Sequence, residues 1–327
     1  MRIVPGEAVG GHGRWIKPPA FSPDGARLVS GDHEGWLIVR ERDGSRFETA
    51  ARVRVPPAGP YSHPQVRSVA WPAAPGELIA AHEYGSIRVR RADDLAEVHA
   101  LPYVGTGEIA AGGGGRWLAA LSDASVNVVG FPELDQRGYH ALYRGDFEHF
   151  RVHELAADPA GPLLAVSDDG GHDETAMAMV LRSGEPQVTL LDAERGAIVG
   201  AIARGEHVSQ LAWDRWRSRW IAATFGREVG AWSAAGEPAS RFRPYEGTHV
   251  RALAVAERWM ATTASHAYNH ATLDLWEPDT FAHLASVSLP RAVPAEWIVA
   301  SPDGRLLLTP GLPAGGDFAI AVWSVED

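Results

Sequence analysis

The sequence predicts an all-β fold, a seven-bladed β-propeller with four-stranded antiparallel blades. Three observations predict it: one apolar block recurs along the chain, short turns rich in Pro and Gly precede several copies, and a second apolar segment follows each copy. Repeats of roughly 40–50 residues that hold four short strands are typical of propeller blades. We therefore expect residues 1–327 to form one propeller domain.

The recurring block predicts the second strand, b, of each blade. It consists of a charged or small residue, a bulky apolar pair and then small residues. The bulky markers are Leu28, Leu78, Trp117, Leu163, Trp220, Trp259 and Leu306. Their spacing averages about 46 residues, which is close to the period of a propeller blade. We expect the three Trp markers to lie in the blade cores.

An apolar segment before each block predicts the innermost strand, a, as at 66–71. The a–b turn is clearest at 22–25 and 301–304, both Ser-Pro-Asp-Gly. Pro fixes φ, Asp bonds its own backbone, and Gly permits positive φ, so the chain reverses there. The four glycines at 112–115 occupy the same position in blade 3. A phosphate-binding loop would need a helix after it, but a predicted strand follows.

Strands c and d complete each repeat. Strand c follows the block, as at 36–39, and a more variable strand d comes next, as at 47–55. The last repeat lacks a fourth strand after Trp323. We expect the segment from Arg2 to Val9 to supply it, because a closed ring leaves no sheet edge exposed.

Two motifs resemble the WD40 repeat family. Residues 21–25 read Phe-Ser-Pro-Asp-Gly, and His63 precedes a strand of the form Val-x-x-Val-x-Trp at 66–71. Three tryptophans also stand where the family places its Trp-Asp pair, although Ser or Glu follows each instead of Asp: Trp232, Trp276 and Trp323. The resemblance covers nearly the whole chain as degenerate repeats, and it implies a propeller with a protein-interaction role.

Candidate binding residues lie on one predicted face of the ring. In an antiparallel meander the a–b and c–d turns share one face, and the b–c and d–a loops share the other, which we call the mouth face. The b–c loops depart most from the repeat, and such departures often mark a binding face. The candidates are His33, Glu34, His82, Glu83, Tyr84, Asp123, His172, Asp173, Glu174, Arg227, Glu228, His266, Tyr268, His270 and Asp317.

Several of these candidates have a structural alternative. WD40 repeats often hold an Asp just before strand c that tightens the b–c hairpin, and Glu34, Asp123 and Asp317 stand close to that position. The histidines have no such family role. Several loops could each donate one metal ligand, but no local spacing is diagnostic of a metal site. No metal or other cofactor is therefore predicted.

Composition limits the functional classes. The formal charge of −11 disfavours nucleic-acid binding, and the absence of cysteine excludes disulfides and Cys-ligated zinc. Arg88, Arg90 and Arg91 form a cluster that fits a solvated strand face better than a phosphate site. Of the 30 basic residues only Lys17 is a lysine, a usage typical of a GC-rich bacterial genome. No signal segment or apolar stretch of about 18 residues is present. We expect a cytoplasmic monomer without a membrane span.

Two functions fit the mouth face. The first is a noncatalytic scaffold that binds a protein or peptide partner, with a small-molecule ligand as a further option. The alternative is a propeller enzyme of lyase or hydrolase type, which could be metal-assisted. General acid–base catalysis would then fall to residues of the b–c loops. The candidates are His172, Glu174, His266 and His270. The sequence leaves open whether the protein is an enzyme.

Overall fold

The computed structural model describes residues 1–13, 15–57, 63–74, 76–83, 85–102, 107–122, 125–141, 152–168, 187–225, 227–265, 271–289, 296–311 and 318–327. Of residues 122, 139–141, 152–153, 168 and 265 only the backbone is described. The chain is a seven-bladed β-propeller of antiparallel four-stranded blades, which confirms the predicted fold class. Within the described ranges, no helix is long and apolar enough to cross a membrane.

The strands follow the predicted order of the repeats. Two strands, β1 (Arg2–Pro5) and β2 (Val9–His12), precede blade 1. Blade 1 holds β3 (Ala20–Phe21), β4 (Arg27–Gly31), β5 (Trp36–Asp43) and β6 (Arg46–Arg54). Blade 2 holds β7 (Val66–Ala70), β8 (Leu78–Glu83), β9 (Ser86–Arg91) and β10 (Glu97–Pro102). Blade 3 holds β11 (Ile109–Gly112), β12 (Trp117–Ser122), β13 (Ser125–Gly130) and β14 (Gln136–Ala141).

The remaining four blades repeat the pattern. Blade 4 holds β15 (Val152–Ala157), β16 (Leu163–Asp168), β17 (Gln187–Asp192) and β18 (Ala197–Ile202). Blade 5 holds β19 (Val208–Asp214), β20 (Arg219–Thr224), β21 (Val229–Ser233) and β22 (Pro238–Phe242). Blade 6 holds β23 (Val250–Val255), β24 (Met260–Ser265), β25 (Ala271–Trp276) and β26 (His283–Leu289). Blade 7 holds β27 (Val299–Ala300), β28 (Leu306–Gly311) and β29 (Phe318–Glu326).

The N-terminal segment closes the ring, as predicted. Strand β1 pairs antiparallel with β29, from Arg2 opposite Glu326 to Pro5 opposite Trp323. It thereby becomes the outermost strand of blade 7, while β2 pairs with the other end of β29. Blade 7 is thus assembled from both ends of the chain.

The hydrophobic core lies between neighbouring blades. Trp117 of blade 3 packs with Leu164 and Leu191 of blade 4, and Trp259 of blade 6 packs with Leu307 and Trp323 of blade 7. As predicted, the Trp markers at 117, 220 and 259 are buried, at no more than 1% exposure. Each such buried side chain contributes about 2–3 kcal/mol of transfer free energy. This packing fixes the blades against each other and makes the ring a rigid support.

The predicted a–b turns have the expected chemistry. In blade 1 the Ser22 hydroxyl donates to the Asp24 carboxylate over 2.6 Å, and Gly25 has a φ of 72°. Gly115 in blade 3 has a φ of 86°, and a Cβ there would lie 2.4 Å from the backbone nitrogen of Ala74. The glycine run at 112–115 leads from β11 into the a–b turn of blade 3, as predicted. In addition, Gly115 allows this turn to pack closely against the turn of blade 2.

Candidate functional site

Nine of the predicted site residues lie outside the described residues, so their positions stay predictions. They are Tyr84, Asp123, His172, Asp173, Glu174, His266, Tyr268, His270 and Asp317. The other six belong to the b–c loops of blades 1, 2 and 5 or to adjoining strand ends. Among the described residues, no group of three or more His, Asp or Glu side chains could hold a metal ion.

His82 and Glu83 are buried, and each makes a structural hydrogen bond within or next to blade 2. The Nδ1 of His82 contacts the carbonyl oxygen of Gly107 at 2.7 Å, which ties blade 2 to the loop before blade 3. Both oxygens of Glu83 accept hydrogen bonds from the Arg90 guanidinium, at 2.6 and 2.9 Å. Such a bidentate pair orients both side chains. Neither residue presents its polar group to the mouth face as a free contact.

The cluster of basic residues on β9 is fully ion-paired. Arg90 binds Glu83, Arg88 binds both Glu83 and Glu97, and Arg91 binds Asp94 at 2.5 Å. A carboxylate at each guanidinium competes with any phosphate. This arrangement favours the interpretation of an ordinary strand face over a phosphate site.

The b–c turn of blade 1 is organised by Asp32 and not by Glu34. One Asp32 oxygen accepts hydrogen bonds from the backbone nitrogens of Glu34 and Trp36, both at 2.9 Å. The carboxylate that tightens the hairpin therefore stands two residues earlier than the sequence interpretation placed it. The Glu34 side chain is partly exposed.

Phe225, which is not among the sequence candidates, forms an exposed knob beside two residues that are, Arg227 and Glu228. Its phenyl ring is 52% exposed and lies between the rings of His207 and His249, with centroids at 6.5 and 5.9 Å. The Phe225 nitrogen donates to the His207 carbonyl, and the Phe225 carbonyl contacts the His249 Nδ1 at 2.8 Å. The knob is therefore fixed by its own backbone.

Charged pairs border the Phe225 knob. Glu228 lies 3.3 Å from the guanidinium of Arg243, and Arg241 binds Glu206. Arg227 adopts a φ of 72° in the turn that links Thr224 to Glu228. An exposed aromatic ring with a polar border has the composition of a protein-contact anchor.

A second feature of the mouth face is a cavity of about 470 Å³, which we call the mouth cavity. It is formed by loops and strand ends of blades 1, 2, 3 and 7. Its lining includes Trp15, Lys17, His33, Arg67, Glu108, Glu296, Trp297 and Phe318. Of the six candidates that the structure describes, only His33 lies in this lining. A cavity of this size suits a ligand or a few residues of a peptide.

The segment before blade 1 supplies part of the apolar lining of the mouth cavity. Trp15 is 62% exposed and has a φ of 44°, an uncommon backbone conformation for a bulky residue. Its indole lies 5.7 Å from the His33 ring, centroid to centroid. The Trp297 indole nitrogen donates to the Ile16 carbonyl at 3.1 Å, which ties blade 7 to this segment.

Two glutamates of the inner strands have perturbed acidity. Glu108 precedes β11 and Glu154 lies in β15, both at the wall of the central channel. Burial raises the pKa of Glu108 to about 7, although the Lys17 ammonium lowers it. Burial and the neighbouring Glu108 charge raise the pKa of Glu154 well above its usual range. The Gln210 amide donates to Glu154 at 3.1 Å. These carboxyls hold protons near neutral pH.

The pKa of His33 shifts in the opposite direction. Burial lowers it, and the positive charges of Lys17 and Arg67 lower it further. His33 is therefore neutral at pH 7. Its buried Nε2 has no hydrogen-bond partner within the described part of the chain. An unsatisfied buried nitrogen costs free energy, which a suitable ligand would recover.

The sequence interpretation missed most of the mouth cavity. It did not single out Trp15, Glu108 or Glu154. Lys17 entered only as the single lysine of the chain, with no site role. One signal was available: charged residues stand at the start of strands that are otherwise apolar, as at Glu108 and Glu154. Trp216, in the a–b turn of blade 5, is partly buried, and the Arg215 guanidinium lies over its ring at 4.4 Å.

Comparison with solved structures supports the fold. The β-propeller domain of Cps50 (Swd1) from Myceliophteria thermophila matches this chain with a TM-score of 0.73 and 16% sequence identity. The match covers 98% of this chain and 98% of that one. At this identity the likeness extends to the architecture of a WD40 propeller and no further. No protein-family model matches the chain, and no curated protein matches it.

Proposed function

We propose that this chain is a noncatalytic scaffold that binds a protein or peptide partner on its mouth face. One observation carries the proposal: Trp15 and Phe225 are exposed on loops of that face. The other large hydrophobic side chains exposed in the described residues are aliphatic and lie on outer strands, in β10 and β18: Val98, Ile198 and Val199. Exposed aromatic residues are enriched at the energetic centres of protein interfaces.

The rigidity of the ring supports the same function. Seven blades packed through inter-blade cores hold Trp15 and Phe225 on a fixed support, which reduces the entropy lost on binding. The resemblance to WD40 repeats favours an interaction role by fold analogy. The formal charge of −11 points away from nucleic acid as the partner.

A random peptide library panned against the purified protein tests the scaffold. Peptides selected on the unaltered protein are expected to lose about tenfold or more in affinity for Trp15→Ala or Phe225→Ala, because each removes an aromatic anchor. Ile198→Ala is the matched control, since it removes an exposed apolar side chain from outer strand β18. Equal binding to all three variants would contradict the proposal, and so would a selection that yields no peptide.

The enzyme alternative is favoured by one observation, the mouth-cavity carboxyl of Glu108. A carboxyl with a pKa of about 7 is suited to donate and accept protons at neutral pH. Turnover of a bound ligand that Glu108→Gln abolishes would favour this alternative over the scaffold.

A further inference from the structure

The mouth cavity holds the one lysine of the chain. Lys17 lies on the segment before β3, where it follows Ile16 in the sequence, and its side chain is partly buried. Its ammonium makes no hydrogen bond or ion pair of 4 Å or less to a residue that the structure describes. By contrast, Arg42, Arg90 and many other arginines are ion-paired. A partly buried cation that lacks a close ion pair among the described residues is suited to an anionic ligand.

Two further basic groups share the wall with Lys17. Arg67 and His33 line the mouth cavity together with Lys17. Burial lowers the pKa of the His33 imidazole, and the charges of Lys17 and Arg67 lower it further. Arg67 also lines the mouth cavity, while its Nε donates to Gln65 at 3.3 Å. A guanidinium, an ammonium and a neutral imidazole thus belong to residues that line the same cavity. Together they can donate several hydrogen bonds to one oxyanion.

The two glutamates of the cavity oppose this positive charge only in part. Glu296 is exposed at the rim, where solvent screens it. Glu108 is about half protonated at neutral pH, since its pKa lies near 7. The protonated carboxyl would donate a hydrogen bond to an anion and would not repel it.

The rest of the lining is aromatic. Trp15 and Trp297 contribute indole rings, and Phe318 contributes a phenyl ring at the start of β29. The site therefore combines a cationic wall with an apolar pocket. A planar, monovalent anion joined to an apolar body matches both parts, and a carboxylate on a hydrophobic residue has this chemistry.

We propose that the mouth cavity is a carboxylate-binding site, in which Lys17 and Arg67 bind the carboxylate and the aromatic lining binds the apolar group attached to it. The carboxylate belongs either to the C-terminal residue of a peptide or to a free small acid. The inference rests on the proposed function, because it names the chemistry of the bound partner.

Calorimetric titration with matched ligands tests the site. The probes are N-acetyl-phenylalanine and the peptide acetyl-Gly-Ala-Phe, each with a free carboxylate and as the amide. Free acids are expected to bind about tenfold more tightly than the amides. Lys17→Gln is expected to remove this preference, and Lys17→Arg to retain most of it. Arg195→Gln removes a charge from an exposed side chain elsewhere and should change nothing.

Each result has one meaning. Tighter binding of the peptide acid than of N-acetyl-phenylalanine identifies a chain terminus as the source, and equal binding identifies a small acid. Equal affinity of acid and amide, or no binding of either acid at about 10 mM, overturns the carboxylate site. If library peptides still depend on Trp15 and Phe225 in that case, the scaffold function stands. If the library selection also yields nothing, both proposals fail.

Discussion

Asp32 shows how a single side chain organises a blade. It is fully buried, and its second oxygen accepts hydrogen bonds from the His12 Nδ1 at 2.9 Å and from the Gly13 nitrogen at 3.1 Å. The His12 Nε2 contacts the Ser30 hydroxyl at 2.8 Å, and Arg40 donates to that hydroxyl at 2.6 Å. A chain of donors therefore runs from Arg40 to Asp32.

The pKa shifts of Asp32 and His12 agree with hydrogen bonds that run from Arg40 towards Asp32. Burial would raise the pKa of Asp32, but the bonds from His12 and the backbone amides outweigh it and hold the pKa low. Burial lowers the pKa of His12 in turn. The imidazole is thus neutral with its proton on Nδ1, facing an ionised carboxylate.

Replacing Asp32 by alanine is expected to destabilise the protein by about 3–5 kcal/mol, because the His12 ring and three backbone amides lose their acceptor in a buried site. Urea unfolding measures the change. Asp43→Ala, at an exposed position of β5, should stay within about 0.5 kcal/mol of the unaltered protein. Similar values for the two variants would show that the network contributes little.

At this scale the sequence predicts burial better than bonding. The repeat places Trp117, Trp220 and Trp259 in the core because bulky apolar residues recur with the blade period. It does not distinguish Asp32 from Glu34 as the turn carboxylate, since both lie in one short loop. Hydrogen-bond geometry decides between them, and it depends on the path of a segment, His12 and Gly13, that precedes the blade.

Strand β1 is the element on which closure depends. It supplies the outer strand of blade 7, and Ile3 packs against the cluster that contains Trp323. Its role is predictable from the sequence because the last repeat is short by one strand. Without β1, the backbone of β29 would present an unpaired edge.

Deletion of residues 1–10 is expected to lower the melting temperature by about 5 °C or more and to produce oligomers, because it removes β1 and opens the edge of β29. Calorimetry and size-exclusion chromatography measure the two effects. Arg2→Ala is the control: it removes only the exposed ion pair with Glu326, which is worth under about 1 kcal/mol. An unchanged melting temperature in the deletion variant would argue against closure by β1.

The mouth cavity exists only in the closed ring. Its lining comes from blades 1, 2, 3 and 7, and the bond from Trp297 to Ile16 joins residues 281 positions apart. A repeat pattern is local and predicts the number of blades well. It says nothing about which loop residues of different blades meet in the folded ring. For this reason the candidate list includes His33 but not Trp15 or Glu108, which line the same cavity.

The ring also sets the protonation of the channel. Glu154 on blade 4 faces the Glu108 charge from blade 3, and the surrounding blades limit the hydration of both carboxyls. A carboxyl whose pKa is raised in the folded state binds more protons there than in the unfolded chain. Its contribution to stability is therefore complete below the ordinary pKa of glutamate and is lost as the pH rises through the folded-state pKa.

Glu154→Gln isolates this contribution. Gln mimics the protonated carboxyl and keeps an acceptor for the Gln210 amide, so the variant should match the unaltered protein at pH 4 and melt at least about 2 °C higher at pH 8. Scanning calorimetry at both pH values measures the difference in melting temperature between the two proteins. Titrating groups that both proteins contain, such as His12, do not contribute to this difference. Glu246→Gln, at an exposed loop position, is the matched control. Its melting temperature should differ from that of the unaltered protein by the same amount at both pH values. A Glu154→Gln variant that is less stable than the unaltered protein at pH 8 would mean that the folded protein stabilises the ionised Glu154 carboxylate. That result would contradict a raised pKa for Glu154.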